Sequence, residues 1–325
     1  MIIENYLEIG YCILVIPSQL SQNMSTRTIT KNKKIQLLSP GHRACAGCGQ
    51  LLAARNVIEA LGPNTIIANA TGCLEVTTSP YPESAWGVPW IHSLFENAAS
   101  VASGILAALK QQGKDKEVKV LAQGGDGSTF DIGFGLISGM WARGENILYV
   151  CYDNEAYANT GMQASAATPL GSNTTTTPSG EDSIGSHQSK KDMIAIALAH
   201  GLPYVAETTA GYPADIQAKV KKAISIEGPA YIQILVPCIP GWKVKPDQAI
   251  ELGKLAAQTG LYPSLEYING ELVNKMKITE KKSVEEYLKQ QGRFSHLFKN
   301  EAGKKEIELI QKIADSNIEK YKLLG

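Results

Sequence analysis

An α/β fold, a mostly parallel sheet with helices on both faces, is what the sequence predicts, and three observations carry the prediction. Short apolar runs alternate with longer amphipathic stretches between Gln50 and Val236. Strands joined by helices of that length pair in parallel and must be covered on both faces. Three of the strand ends carry polar or cysteine residues, at Cys73, Asp126 and Asn154, and such sheets bind ligands beyond the carboxyl ends of their strands.

The elements follow in order. Residues 1–36 are weakly patterned and form an N-terminal extension. Tyr6 to Val15 is apolar but too short to span a membrane, and the first positive side chain is Arg27, so the charged start of an export signal is missing. The first 23 residues read as a peripheral strand or helix, or as an upstream start ahead of Met24. Gly41 to Gly49 is a compact Gly/Cys-rich loop, and a helix is predicted over Gln50 to Leu61, stopped by Gly62-Pro63. Thr65 to Asn69 reads as a buried strand, Thr77 to Trp90 as a proline-rich loop, and Ser93 to Leu109 as a helix. Strands are predicted over Glu117–Gln123, Asn146–Asp153, Tyr204–Glu207 and Ala230–Val236, and helices over Phe130–Ala142, Lys191–His200 and Pro213–Ile226. Tyr157 to Gly185 is a long polar loop, and loops of that length inside a domain are usually functional. Residues 37–242 make the main domain. Residues 243–325 show helical patches, lysine-rich turns and no strand alternation, and read as a C-terminal extension packing on the core or on a partner subunit.

In 325 residues, 31 basic and 31 acidic side chains balance. No basic excess points to nucleic acid, and no segment points to a membrane. Six cysteines in a chain of this size, with no export signal, are not a disulfide framework. The chain reads as cytoplasmic, with its cysteines either buried apolar residues or ligands.

Gly125-Asp126-Gly127-Ser128 stands at the end of one predicted strand, and Asn154 at the end of the next. A diphosphate needs a divalent cation, and magnesium takes hard oxygen ligands shared with phosphate oxygens. Asp126 supplies a charged oxygen, Asn154 a neutral one, and the Ala156 carbonyl completes the protein's share. Gly125 and Gly127 let the backbone approach the phosphates, and the following helix N-terminus favours an anion. Alone, Gly-Asp-Gly is only a turn; the second element gives it chemistry.

Cys45-Ala-Gly-Cys48 puts two thiols on one loop, and Cys73 and Cys238 sit at other strand ends. Four thiolates brought together hold a 4Fe–4S cluster or a structural zinc. Cys12 and Cys151 read as non-ligands, the latter inside an apolar strand.

The segments Gly41–Gly49, Asn69–Glu75, Trp90–Asn97, Gly125–Gly133, Tyr152–Gly161 and Pro237–Trp242 resemble the β subunits of pyruvate:ferredoxin oxidoreductases, within the 2-oxoacid:ferredoxin oxidoreductase family. The resemblance runs from about residue 37 to about 262 and takes in Glu285–Phe294 of the tail. It implies the diphosphate-binding domain fold of thiamine-diphosphate enzymes, one 4Fe–4S cluster on Cys45, Cys48, Cys73 and Cys238, and magnesium on Asp126, Asn154 and Ala156. Thiamine diphosphate would then touch Gln50, Cys73, Gly125, Gly127, Ser128 and Thr160, with Asn159 facing the reacting carbon as the catalytic residue. At Gln50 the single-chain relatives carry Glu, so a charge is missing here. The implied reaction converts pyruvate and CoA to acetyl-CoA and CO2 and reduces ferredoxin.

The chain has one thiamine-type domain and no ferredoxin-like cysteine run. The resemblance therefore implies a pyrimidine-domain α subunit, a γ subunit and a ferredoxin-like δ subunit. The same chemistry on a branched-chain 2-oxoacid, 2-oxoglutarate or oxalate is the alternative, and a zinc-stabilised binding module a distant one. His92 and Glu96, one helical turn apart next to the Trp-rich loop, are candidates for substrate or CoA contact; His42 and Arg43, before the cysteine loop, are candidates for tuning a cluster or binding a partner, and His187 with the Thr174–Thr177 run for a mobile lid. His200 ends a helix, where the dipole favours it.

Overall fold

The computed structural model describes residues 36–80 and 84–325. The readings made above for residues 1–35, Cys12 among them, lie outside the described residues. Residues 36–325 form one compact unit. Its frame is an eight-stranded sheet. The first elements are α1 (Gly49–Leu61), β1 (Thr65–Asn69), α2 (Cys73–Thr78), β2 (Trp90–His92), α3 (Ala98–Gln111) and β3 (Lys119–Gly125). Then come α4 (Phe134–Ala142), β4 (Leu148–Asp153), α5 (Met193–Ala199), β5 (Tyr204–Thr209), α6 (Pro213–Ala223) and β6 (Ala230–Leu235). The chain ends with α7 (Ile239–Trp242), α8 (Ala249–Thr259), β7 (Leu265–Ile268), β8 (Glu271–Lys275), α9 (Val284–Lys289), a 3-10 turn over Gly292–Phe298, and α10 (Glu301–Tyr321).

The strand order is β2-β1-β3-β4-β6-β5-β7-β8. The first six positions are parallel, and β7 and β8 add antiparallel at one edge. Side chains of each central strand alternate between two cores, as period-two geometry requires. Leu148, Val150 and Tyr152 join the core under α1 and α6; Tyr149 and Cys151 join the one under α3 and α4. A third core, centred on Trp242, Leu252, Leu288 and Phe294, packs the segment after Trp242 together. The order turns back between β1 and β3, so the strand ends at Asn69 and Gly125 flank the crevice where ligands of open parallel sheets bind.

The differences from the sequence reading have local causes. The proline-rich segment ends in a three-residue edge strand, β2, too short to show a period. Helix α3 starts at Ala98, not Ser93, because the Asn97 side-chain oxygen accepts from the Leu94 N–H at 3.0 Å and holds residues 94–97 in a turn. His92 and Glu96 are therefore not on one helix. After Asp126 the chain makes a π-helical turn over Gly127–Ile132 before α4 begins. The segment after Trp242 does contain strands. Asn269 and Gly270 both have positive φ, 48° and 82°, and close a tight hairpin between β7 and β8. Asn-Gly between apolar runs is a hairpin signal available in the sequence.

Candidate active site

Asp126 follows β3 and Asn154 follows its neighbour β4. The pairing Gly125↔Tyr152 brings the two strand ends level. The Asp126 carboxyl is buried; Oδ1 accepts from the Asn154 backbone N–H at 3.2 Å and Oδ2 from the Ser165 hydroxyl at 2.5 Å. Burial first, and the nearby Asp153 second, push its pKa well above the usual carboxylate range. A positive charge at this place would relieve both. The Asn154 amide atom that faces the loop is 2.7 Å from the Ala156 carbonyl oxygen and 3.2 Å from Asp126 Oδ1. With nitrogen there it donates to both. With oxygen there, three acceptor oxygens meet at separations near an octahedral ligand edge, about 2.9 Å for magnesium. The residues fit a divalent cation.

Every residue the resemblance assigns to the thiamine cofactor lines one cavity of about 100 Å³: Gln50, Cys73, Gly125, Asp126, Gly127, Ser128, Asn154, Ala156, Asn159 and Thr160. The π turn is held by the Ser128 and Thr129 hydroxyls, which donate to the Gly125 carbonyl at 2.9 and 2.7 Å. Gly127 has a steric reason: a Cβ would lie 2.4 Å from the Tyr157 ring. That ring is anchored by its hydroxyl, which donates to Asp131 Oδ2 at 2.9 Å. Tyr157, Phe95 and Asn69 also line the cavity and were missed from sequence. Asn69 accepts from Gln123 at 2.8 Å, a cross-strand pair that only the β1–β3 register reveals.

Cys45, Cys48, Cys73 and Cys238 line a second cavity, about 70 Å³, adjoining the first. Gln50, Cys73, Asn154 and Ala158 belong to both walls. The four thiols come from the loop before α1, the first turn of α2 and the residue before α7. Gly47 at φ +75° lets the Cys45–Cys48 loop pass the Pro246 backbone, where a Cβ would fall 1.8 Å from the carbonyl oxygen. Burial pushes the Cys73 thiol up to about 12, aided by the other three thiols, and burial pushes Cys238 to about 11. Thiols so placed become thiolates only against positive charge, which suits ligation by a metal group. Among the described residues no three His, Cys, Asp or Glu side chains close around one ion-sized point; the four thiols ring a cavity. Cys151 is fully buried in the core under α3 and α4 and lines neither cavity.

Residues 70–234 match the family described as thiamine pyrophosphate enzyme, C-terminal TPP binding domain. The chain is 52% identical to the pyruvate synthase subunit PorB of Methanosarcina barkeri over 286 residues, 88% of this chain and 97% of that one. The chain belongs to the thiamine-diphosphate-binding β subunits of 2-oxoacid:ferredoxin oxidoreductases. The Thermotoga maritima pyruvate synthase subunit PorB is 42% identical over 89% of this chain and 92% of its own length. The ketoisovalerate oxidoreductase subunit VorB of Pyrococcus abyssi is 41% identical over 88% and 92%. Among solved structures, a 2-oxoglutarate:ferredoxin oxidoreductase from Magnetococcus marinus, with 2-oxoglutarate, coenzyme A and succinyl-CoA bound, aligns with a TM-score of 0.53 at 25% identity. It covers 69% of this chain and 82% of that one. As an enzyme subunit of this family, the chain carries the TPP-binding domain, with its mostly parallel sheet, and works as part of a multi-subunit oxidoreductase.

Behind the loop that carries Asn154 and Ala156 lies a buried ionic network absent from the sequence reading. Asp153 is held by Lys190 at 2.5 Å, and Glu155 by Lys190 at 3.0 Å and Arg293 at 2.6 Å. Burial opposes the charge on Glu155, yet Lys190 and Arg293 outweigh it and lower its pKa. Glu155 has φ +66°, a conformation that costs a non-glycine residue on the order of 1–3 kcal/mol. No local signal marks Arg293, 138 residues away.

The other candidates fall outside both cavities. The Thr71 hydroxyl and His92 Nε2 share a hydrogen bond of 2.7 Å at the cavity rim. His42, half-buried, accepts from the Ala44 N–H at 3.4 Å. Thr174 and Thr177 bond to each other at 2.7 Å, closing the threonine run on itself. His200 caps the C-terminus of α5. Among the described residues no helix is long and apolar enough to cross a membrane.

Proposed function

We propose that this subunit carries thiamine diphosphate with magnesium on Asp126, Asn154 and Ala156, and one 4Fe–4S cluster on Cys45, Cys48, Cys73 and Cys238, in a pyruvate:ferredoxin oxidoreductase. The reaction is pyruvate, CoA and two oxidised ferredoxins to acetyl-CoA, CO2, two reduced ferredoxins and a proton. The observation that carries the reading is the shared wall: Gln50, Cys73, Asn154 and Ala158 border both cavities. Thiamine diphosphate, when bound here, would supply a nucleophilic carbon and an electron sink for 2-oxoacid decarboxylation. The chain's own residues then have separate tasks. Asp126, Asn154 and Ala156 would hold the diphosphate through the cation, Asn159 would face the reacting carbon, and Cys73, which lines both cavities, would border cofactor and cluster alike. Zinc in the cysteine cavity would leave this adjacency without a purpose, since zinc has no redox chemistry.

Pyruvate is favoured by several PorB relatives at 42–52% identity. A branched-chain 2-oxoacid is the second reading, favoured by the VorB relative. The partners are an α subunit with the pyrimidine domain, a γ subunit, a ferredoxin-like δ subunit and ferredoxin, in the reducing cytoplasm where free thiols persist. The test is metal analysis and electron paramagnetic resonance on the anaerobically purified complex, followed by reduction of ferredoxin with each 2-oxoacid. About four irons and four sulfides attributable to this subunit, with pyruvate the best substrate by kcat/KM, is the expected result. Zinc without sulfide would overturn the cluster, and a preference for 2-oxoisovalerate would overturn pyruvate.

A further inference from the structure

We propose that Arg293 is a positioning residue for the cation loop and acts through Glu155. The inference rests on the reading of Asp126, Asn154 and Ala156 as ligands of the diphosphate's cation. Glu155 lies between two of those ligands, so its backbone sets how the Ala156 carbonyl is aimed relative to the Asn154 amide. That backbone is left-handed, at φ +66°, and a glutamate leaves that region unless it is held. Four contacts hold it. Arg293 Nη2 meets Glu155 Oε2 at 2.6 Å, and Lys190 Nζ meets Oε1 at 3.0 Å. The Glu155 N–H donates to Asp153 Oδ1 at 3.0 Å, and the Thr168 hydroxyl donates to the Glu155 carbonyl at 2.8 Å.

Arg293 also reaches the other side of the loop. Its guanidinium lies 3.9 Å over the Trp242 ring, and the Trp242 indole N–H donates to the Asn154 carbonyl at 2.9 Å. Arg293 is 2% exposed and lines neither cavity. Its guanidinium also lies 4.8 Å over the Phe294 ring, and Nε donates to Gln291 Oε1 at 2.9 Å. The segment after Trp242 thereby becomes part of the cofactor site without touching the cofactor.

The test uses the complete multi-subunit enzyme stripped of thiamine diphosphate and metal, with Mn2+ as probe. Binding of Mn2+ in the presence of thiamine diphosphate is read from the loss of the free-Mn2+ resonance signal. Arg293→Gln is expected to weaken Mn2+ binding by about tenfold or more, the range of second-layer residues at metal sites. Trp242→Phe keeps an aromatic face for Arg293 and loses the indole N–H, and is expected to weaken it in the same direction. Leu297→Ala loosens the same segment without touching Glu155, and is expected to lower the melting temperature and leave Mn2+ affinity unchanged. Unchanged affinity in Arg293→Gln, or an equal loss in Leu297→Ala, overturns the inference. Should Arg293→Gln fail to assemble, unchanged affinity in Trp242→Phe overturns it instead. A wild-type enzyme that binds no Mn2+ with thiamine diphosphate would sink the cation assignment itself, a separate failure.

Discussion

The Cys73 thiol donates to the side-chain oxygen of Asn159 at 3.7 Å, although 86 residues separate them. This contact ties Cys73, which lines both cavities, to Asn159 on the wall of the larger one. Cys73 opens α2 just beyond β1, and Asn159 lies on the loop beyond β4. Both reach the same edge because β1, β3 and β4 are adjacent and parallel.

Asp126→Ala removes the charged oxygen of the proposed cation site and leaves every cysteine in place. Magnesium-dependent thiamine diphosphate binding, followed calorimetrically, should fall at least about tenfold, with iron content unchanged. Equal affinity in the variant would remove Asp126 from the ligand set.

Cys238→Ser and Cys151→Ser separate cavity from core. The first takes a thiol from the cavity wall, and iron and sulfide should fall well below the wild-type load. The second changes a fully buried residue outside that cavity, so the load should stay full. If both variants keep all their iron, the ligand assignment is wrong.

Lys190→Met strips the ammonium from Asp153 and Glu155. Asp153 is fully buried, and only Arg293 would remain to pair Glu155. Breaking one partner of such a network costs about 3–5 kcal/mol, read as a shift of the urea midpoint. Adding Asp153→Asn should recover part of it. No recovery would mean that Lys190 acts through packing, as its ammonium 4.7 Å over the Tyr262 ring also allows.

Glu207, on β5, has its carboxyl pushed up to about 8 by burial, with Asp192 and Asp153 adding repulsion against Lys190 and Lys219. Its folded pKa exceeds the unfolded one, so between about 4.3 and the folded value the native state holds the extra proton. Stability therefore falls as pH rises through that window and levels off above it. Glu207→Gln should lack this fall, and its advantage in melting temperature should grow from pH 5 to pH 8. A constant difference across that range would show that Glu207 does not titrate there.

Much of the fold was legible because its signals are local. The apolar run Ile147–Tyr152 bounded by polar residues, the stop at Gly62-Pro63 and the proline opening α6 each act within a few residues. Asp126 and Asn154 were legible as a pair because one helix and one strand lie between them. Strand β2 was not, being three residues long, and β8 presents Leu272 and Val273 to solvent, so its pattern does not alternate toward a core.

By itself the sequence determined the strand–helix alternation, the placing of Asp126 and Asn154 at successive strand ends and the cysteine spacings. These depend on backbone periodicity and on residue chemistry, which neighbours along the chain settle. Only the tertiary structure decided that four cysteines from three segments ring one cavity, that this cavity shares Cys73 with the cavity beside Asp126, and that Arg293 reaches Glu155. Those relationships depend on strand order and on packing of the tail. Burial makes them strong: a buried charge must find its partner wherever the fold places it, at whatever distance along the chain.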